Sequence, residues 1–217
     1  MTFNGHDTLL ATPFDSVLAP SDYITFQAWI YPKEINRAQV IAMMGIDGWA
    51  VMLTCPEGSG PGCCGTEDTH ASGSLMFWTS PFPGENNCEV APTSTKQVEL
   101  YQWQHVAVVA DVYGGTVSFY LDGESAGTSY VHINKEAWEF TRDQSKESNS
   151  GLHIGQSGRC QCLQYRGLLD EVSVWNAAIS PADISLHWRN EPTEWHTNFD
   201  DIVAYWKFNE GHLDQSG

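Results

Sequence analysis

Positive charge is scarce in this sequence, and its scarcity narrows the range of partners. Ten Lys and Arg residues stand against 27 Asp and Glu residues, which gives the 217-residue chain a formal net charge of −17. A field of this sign repels nucleic-acid phosphates and anionic membrane surfaces, and it attracts cations. We therefore expect no nucleic-acid partner.

Long apolar runs are missing as well. Stretches such as "VAVVA" (Val106–Ala110) are far shorter than the roughly 20 apolar residues that a membrane-spanning helix needs. We therefore expect no membrane insertion. Hydrophobic residues nevertheless make up 41% of the chain. That fraction is enough for a substantial core and argues against a disordered segment.

Several site motifs are also absent. The sequence has no Asn-x-Ser/Thr acceptor, so N-glycosylation is not expected. It has no Gly-x-Ser-x-Gly elbow, and "GGTVSFYLDG" is typical of a hairpin rather than of a phosphate-binding loop. Neither the histidines nor the cysteines show the paired spacing of a zinc site, which makes zinc a poor candidate.

The six cysteines instead predict disulfides. They are Cys55, Cys63, Cys64, Cys88, Cys160 and Cys162. Four of them fall in a stretch rich in Gly, Pro and Ser, where a loop needs covalent support. Three disulfides imply an oxidising compartment, so we expect a secreted, extracellular or cell-surface protein. The pairing stays open, except that the last two cysteines are expected to have different partners, because a one-residue spacing closes a strained ring.

The residue pattern predicts many short strands and one helix. In "DYITFQAWIYP" (Asp22–Pro32) apolar side chains alternate, and turn pairs such as Asp47-Gly48, Gly114-Gly115 and Asp122-Gly123 separate such segments. Near the C-terminus, Ser180 followed by Pro181 and Asp183 has the pattern of a helix N-terminus. We predict an all-β fold, an antiparallel jelly-roll β-sandwich with one short helix near the C-terminus. Residues 1–217 are expected to form one domain.

One strand carries a carboxylate in an unexpected place. By period-2 alternation, Asp170 shares a face with Leu168, Val172 and Val174. A buried carboxylate costs several kcal/mol unless it is paired, hydrogen-bonded or bound to a metal. The alternatives are a salt bridge to Arg166, the nearest basic residue in sequence, backbone hydrogen bonds that include capping of a local turn, a β-bulge at Leu169 that turns the side chain outward, and Ca²⁺.

Calcium is the alternative that a second segment supports. Ca²⁺ binds six to eight oxygens, commonly carboxylates and backbone carbonyls. The loop "FNGHD" (Phe3–Asp7) offers the Asp7 carboxylate and the carbonyls of Asn4 and Gly5. We predict a calcium site with Asp7 and Asp170 as side-chain ligands and with Asn4 and Gly5 as lesser candidates.

Several segments together resemble a laminin-G-like domain. "MTFNGHDTLLATP" is similar to the opening of this family, "ITFQAWIYP" to its second strand, and "WQHVAVVADVYGGTVSFYLDGESAG" to its central hairpin. "LHIGQSG" and "YRGLLDEVSVWNAAISPADI" follow in the family's order. The resemblance implies the concanavalin A-like lectin/glucanase sandwich, which pentraxins share. It also implies calcium, because in many of these domains the opening loop lies close to the Asp of the Asp-Glu-Val strand.

A catalytic site is not expected. Laminarinase-type glycoside hydrolases on this fold carry Glu-x-Asp-x-x-Glu on one strand, which places two carboxylates on one face. In "DEVSVW" the side of Glu171 holds Ser173 and Trp175 instead of a second Glu.

Aromatic residues in loops are the candidate ligand contacts, since aromatic faces bind the C–H faces of sugar rings. Trp103, Trp175 and Trp206 belong to strand motifs and are interpreted as packing. The predicted ligand-binding residues are Trp78, Trp138, Trp195, Tyr130 and Tyr165. The cysteine-rich segment Cys55–Cys88 is a second place to expect recognition, because loops on a rigid scaffold commonly carry it.

These observations predict a non-catalytic extracellular, calcium-dependent binding or adhesion module, with glycan as the favoured ligand. The alternatives are a protein–protein or structural assembly module without sugar binding and a glycoside hydrolase. We expect a domain of a larger secreted protein with further domains. The segment "IVAYWKF" (Ile202–Phe208) either closes this domain, as we favour, or opens a following repeat.

Overall fold

A computed structural model gives the fold of the chain. It describes residues 1–6, 9–13, 15–18, 22–45, 48–55, 72–79, 91–130, 151–157 and 163–209. The strands in these ranges are β1 (Thr2–Asn4), β2 (Leu10–Ala11), β3 (Tyr23–Pro32), β4 (Gln39–Met44), β5 (Trp49–Leu53), β6 (Ser74–Thr79), β7 (Thr93–Gln97), β8 (Gln104–Asp111), β9 (Thr116–Leu121), β10 (Glu124–Tyr130), β11 (Leu152–Ile154), β12 (Arg166–Trp175) and β13 (Ile202–Trp206). The α-helix is α1 (Pro181–His187), and two 3-10 turns cover Ser16–Leu18 and Phe199–Asp201.

The strands form two antiparallel sheets that pack into a sandwich. The first sheet has the order β1-β12-β3-β8-β9-β10, with β13 also paired to β12. The second has the order β2-β11-β4-β5-β6-β7. This arrangement confirms the predicted all-β jelly-roll class with one short helix. Among the described residues, no helix is long and apolar enough to cross a membrane.

The core lies between the two sheets, and the alternation of β3 shows how it forms. Ile24, Phe26, Ala28 and Ile30 are each at most 1% exposed, and all four belong to the central apolar cluster. Their partners on the second sheet include Trp49, whose indole N–H donates to the Leu18 carbonyl at 3.0 Å. Each fully buried side chain of this size contributes about 1.5–3 kcal/mol of hydrophobic stabilisation.

Helix α1 begins where the sequence predicts. The Ser180 side chain accepts the backbone N–H of Asp183 at 3.1 Å, and its hydroxyl donates to the Asp183 carboxylate at 2.6 Å. Pro181 is the first helical residue. The helix covers part of the outer face of the first sheet, where Ile184 packs in a cluster with Trp175.

The predicted position of Asp170 on the core face is wrong, because β12 contains a bulge. Its register against β3 shifts between Asp170 and Ser173, and Glu171 has a φ of +49°. Before the shift, Leu169 points into the core and Asp170 lies opposite Trp29 on the outer face. After it, Val172 and Val174 are fully buried. A bulge therefore does turn the carboxylate outward, but it follows Asp170 instead of lying at Leu169.

Strand β13 completes the first sheet. It pairs with β12 from Val172 opposite Trp206 to Trp175 opposite Ile202. Val203 and Trp206 pack against the central cluster. The segment thus closes the sheet, as expected from the cost of exposing its apolar side chains.

Candidate functional site

The described calcium candidates do not come together. Pairing of β1 with β12 places Asn4 opposite Arg166. Asp170 lies four residues further along β12, which is about 13 Å at the usual rise of a strand. The Asp170 carboxylate instead accepts the backbone N–H of Glu171 at 3.1 Å, and the Asn4 side chain accepts that of His6 at 2.9 Å.

The predicted calcium loop has cationic surroundings. The Gly5 carbonyl accepts a hydrogen bond from the Arg37 guanidinium at 3.2 Å. A Cβ on Gly5, whose φ is +77°, would lie 2.6 Å from that guanidinium. Arg37 and Arg166 both pair with the Glu34 carboxylate, at 3.4 and 3.6 Å. Positive charge at this carbonyl opposes a divalent cation.

The structure thus does not bring Asn4, Gly5 and Asp170 together, and the calcium site with Asp7 and Asp170 as side-chain ligands stays a prediction. Among the described residues, no group of three or more His, Cys, Asp or Glu side chains could hold a metal. Asp7 lies outside the described residues.

Two of the predicted ligand-binding aromatics belong to packed clusters. Tyr165 is fully buried and packs edge-on against Phe3, with ring centroids 6.2 Å apart. Its burial raises the pKa of the phenol. Trp78 is 9% exposed and packs with Met43 and Met52 on the outer face of the second sheet. Both are wrong as surface ligand contacts.

Of the remaining predicted aromatics and cysteines, some are exposed, one is buried and the others lie outside the described residues. Tyr130 and Trp195 are exposed, at 87% and 83%, as a ligand contact requires. Trp138 lies outside the described residues. Cys55 is buried in the same cluster as Trp78. Because Cys63, Cys64, Cys88, Cys160 and Cys162 are outside the described residues, the pairing of the six cysteines stays a prediction.

An aromatic row that the sequence interpretation missed lies on the outer face of the first sheet. We define it as Tyr31, Trp103, Trp29 and Trp188. The ring centroids of Tyr31 and Trp103 are 5.7 Å apart, and those of Trp29 and Trp188 are 5.6 Å apart. Trp103 is 43% exposed, so its predicted packing role is wrong, whereas Trp175 is fully buried as predicted. Trp206 is only partly buried.

A polar groove of about 630 Å³ begins at Trp188. It lies where β7 of the second sheet approaches the β9–β10 turn of the first and the end of α1. The polar residues Gln97, Gln104 and Ser185 line it together with Gly123. Planar polar groups beside an aromatic ring can bind a polyhydroxylated ligand.

The wall at Trp188 is fixed by the β9–β10 turn. Asp122 and Gly123 have φ angles of +49° and +76°, and the Asp122 carboxylate accepts the backbone N–H of His105 at 2.8 Å. A Cβ on Gly123 would lie 2.2 Å from Cδ1 of Trp188. Glycine therefore allows the indole to pack directly on the turn. The Asp-Gly pair was recognised from the sequence as a turn, but its contact with α1 was not.

The charged walls of the groove are paired with other groups. Lys96 and Glu124 form an ion pair at 3.1 Å. The Arg189 guanidinium lies 4.3 Å from the centre of the Trp188 ring. The Glu99 carboxylate accepts a hydrogen bond from the Gln102 amide at 2.7 Å.

A small pocket is lined in part by the same tryptophan. Its volume of about 20 Å³ has room for roughly one water molecule. His105 and Glu171 contribute to its lining. Burial lowers the pKa of His105 to about 3, so this imidazole is neutral at neutral pH. Burial, followed by the nearby Glu191 and Asp170 charges, raises the pKa of Glu171 to about 7.

A perturbed carboxylate often indicates catalysis, but this pocket cannot hold a sugar ring. Glycoside hydrolysis needs two carboxyl groups on either side of a bound glycosidic bond. The Glu171 carboxylate instead accepts a hydrogen bond from the Tyr205 hydroxyl of β13. The geometry gives Glu171 a structural role at the bulge.

Two antiparallel sheets packed face to face, with a polar groove beside exposed aromatic rings, define a lectin-like β-sandwich. The chain belongs to the concanavalin A-like lectin/glucanases superfamily, whose laminin-G-like family model matches residues 4–185. This match confirms the resemblance seen in the sequence. A search of curated proteins found no match.

Solved structures show the same fold at low identity. A candidate carbohydrate-binding protein from Bacteroides ovatus is 16% identical, with a TM-score of 0.62, and the match covers 100% of this chain and 54% of that one. This chain thus spans about half of that structure. A pentraxin from Limulus polyphemus is 18% identical, with coverages of 85% and 78% and a TM-score of 0.52. The CBM40 of a Ruminococcus gnavus sialidase is 12% identical, with coverages of 86% and 94% and a TM-score of 0.57.

Proposed function

We propose that this chain is a non-catalytic glycan-binding module whose ligand occupies the groove and extends along the aromatic row. The observation that carries the proposal is the continuity of the two surfaces at Trp188, which lines the groove and contacts Trp29 of the row. A sugar chain needs this combination of aromatic faces for its C–H groups and planar polar groups for its hydroxyls.

The volume and the family support the same proposal. About 630 Å³ lies within the usual range of roughly 300–1,000 Å³ for small-ligand sites. Structures of the same fold carry sugars: a Ruminococcus gnavus CBM40 is bound to α2,3-sialyllactose, and domain 4 of a Geobacillus stearothermophilus extracellular arabinanase is in complex with arabinotriose. At 10% and 17% identity, those structures support the fold and leave the ligand of this chain to experiment.

Three further expectations belong to the proposal. We propose an extracellular or cell-surface location, which the six cysteines favour. Calcium dependence would rest on Asp7, because the other candidate ligands do not assemble. The module would serve as one domain of a larger secreted protein.

The test is binding of the isolated chain to a glycan array, followed by calorimetry on the best ligand. We expect Trp103→Ala to weaken binding roughly fivefold to tenfold, the usual contribution of one aromatic contact. Gln97→Ala, in the groove, should weaken it roughly threefold through a lost hydrogen bond. Gln97→Ala should not change the melting temperature because the side chain is exposed, whereas Trp103→Ala also removes the ring contact with Tyr31 and should lower it slightly.

Trp195→Ala is the matched control, because it removes an exposed indole that does not line the groove. Binding lost in this variant and retained in Trp103→Ala would move the site to the loops that the sequence predicted. Silence across the array would favour the protein–protein or structural assembly alternative.

A further inference from the structure

We propose that the groove selects neutral glycans over their sialylated or otherwise anionic counterparts. The inference deepens the proposed function and rests on it. Its starting point is the charge of the walls: three carboxylates, those of Glu99, Asp122 and Glu124, face two cations, Lys96 and Arg189. The groove is therefore net negative before any ligand enters.

The two lining cations each have a contact already, but the contacts differ in kind. Lys96 already pairs with Glu124 at 3.1 Å, and Arg189 lies 4.3 Å from the centre of the Trp188 ring. An incoming carboxylate or sulfate would have to compete with Glu124 for Lys96, whereas the ring contact of Arg189 leaves the N–H groups at the edge of its guanidinium open to an anion. The anion would also have to approach two further lining carboxylates, Glu99 and Asp122, neither of which forms an ion pair with a described residue.

The remaining described arginine pair does not compensate. Arg37 and Arg166 share the Glu34 carboxylate, and Arg37 also holds the Gly5 carbonyl. None of these residues lines the groove. The chain as a whole carries a formal charge of −17, which lowers the local concentration of any anionic ligand. Binding sites commonly gain specificity from charged residues that repel ligands of the same sign.

The proposal predicts a ligand preference that differs from the ligand of one structural neighbour. The Ruminococcus gnavus CBM40 shares the fold at 10% identity and is bound to sialyllactose. Here the charges of the walls favour the hydroxyl groups of a neutral sugar. The Gln97 amide can bind them as donor and acceptor, and the Gln104 amide as donor, since its oxygen already accepts the Glu99 N–H at 2.5 Å.

The experiment compares pairs of equal size in which a carboxylate replaces a neutral group: the methyl ester of 3′-sialyllactose against 3′-sialyllactose, and galactotriose against trigalacturonic acid. In 0.02 M salt we expect the anionic member to bind at least about threefold more weakly, with the gap narrowing in 0.5 M salt as the charges are screened. Equal or tighter binding of the anionic members would overturn the inference and leave the proposed function intact. Silence across both pairs and across a glycan array would refute the proposed function and the inference with it.

A double variant tests whether the charged residues of the groove cause the selectivity. The double variant Glu99→Gln/Glu124→Gln removes two negative charges and releases Lys96, so the anionic members should bind roughly threefold more tightly at low salt. Glu194→Gln removes one charge from an exposed residue outside the groove and should leave the ratio unchanged. A ratio that responds to Glu194→Gln and not to the double variant would contradict selection by the groove.

Discussion

Protonation of Glu171 should make this fold more stable in mild acid than its many carboxylates suggest. The side chain lies at the bulge of β12, where it accepts the Tyr205 hydroxyl. Burial raises its pKa from 4.5 to about 7, the Glu191 and Asp170 charges act in the same direction, and Lys207 opposes them. The folded state thus holds a proton that the unfolded state releases above pH 4.5.

The magnitude follows from proton linkage. A carboxyl group with this displacement would change stability by about 3 kcal/mol if it were fully buried. Glu171 is only partly buried, so we halve this figure for solvent screening to about 1.5 kcal/mol. Because the pKa of the folded state is the higher one, this stabilisation is complete below pH 4.5 and is lost as the pH rises through 7. For a chain of this length the loss corresponds to roughly 3–6 °C in melting temperature.

The assay is thermal unfolding of the wild type and of Glu171→Gln between pH 4.5 and 8. Glutamine resembles the protonated carboxyl group and does not titrate, so the variant should match the wild type at pH 4.5 and exceed it at pH 8. Glu194→Gln, at an exposed site, should follow the wild type throughout. A constant difference between Glu171→Gln and the wild type across this range would refute the linkage argument.

Two other predictions concern the turn and the cation. Gly123→Ala adds a Cβ 2.2 Å from Trp188 at a φ of +76°. We expect the free energy of unfolding to fall by about 1–3 kcal/mol, measured by denaturant unfolding, and glycan binding to weaken, measured by calorimetry. Unchanged stability would mean that α1 can move away from the turn. If Asp7 binds calcium, a chelator should lower the melting temperature of the wild type and not of Asp7→Asn, because a ligand that binds only the folded state stabilises it. Asp170→Asn should respond to the chelator like the wild type, since Asp170 lies about 13 Å along the strand from the opening loop; an Asp170→Asn melt insensitive to chelator would restore that residue as a ligand.

Local sequence patterns predicted the elements of this fold well. The alternation in β3 and the cap at Ser180 depend on interactions within a few residues, so the sequence contains them in full. The Asp122-Gly123 turn is predictable for the same reason, because positive φ angles select these residue types.

The bulge shows where such patterns stop being sufficient. Alternation along β12 assigns Asp170 to the core face, and only the φ of +49° at Glu171 reverses the assignment. The residue type does not predict this conformation, because glutamate rarely adopts it. Its support comes from distant partners, Trp29 on β3 and Tyr205 on β13, which the sequence does not place together.

The exposure of aromatic residues was hard to predict for a related reason. Tyr165 follows polar residues and looks like a surface side chain, yet Phe3 of the opening strand covers it. Trp103 precedes a strand of the central hairpin and looks like core, yet its face of the sheet extends beyond the area that α1 covers. Depth in a sandwich is decided by which elements pack on each sheet, and periodicity specifies only the side of the strand.

The ligand of the opening loop could not be predicted from local sequence either. A backbone carbonyl at a glycine with positive φ can be satisfied by calcium or by a guanidinium, since both supply positive charge. The sequence offered the loop and the acidic composition that favours calcium, whereas pairing of β1 with β12 brings Arg166 to Asn4 and packing brings Arg37 to Gly5. One of the ten basic residues, Arg37, thus contacts the opening loop through its guanidinium, and Arg166 pairs with the first strand through its backbone. Neither arginine lines the groove near Trp188, so the residues that contact the opening loop are separate from those that set the charge of the proposed site.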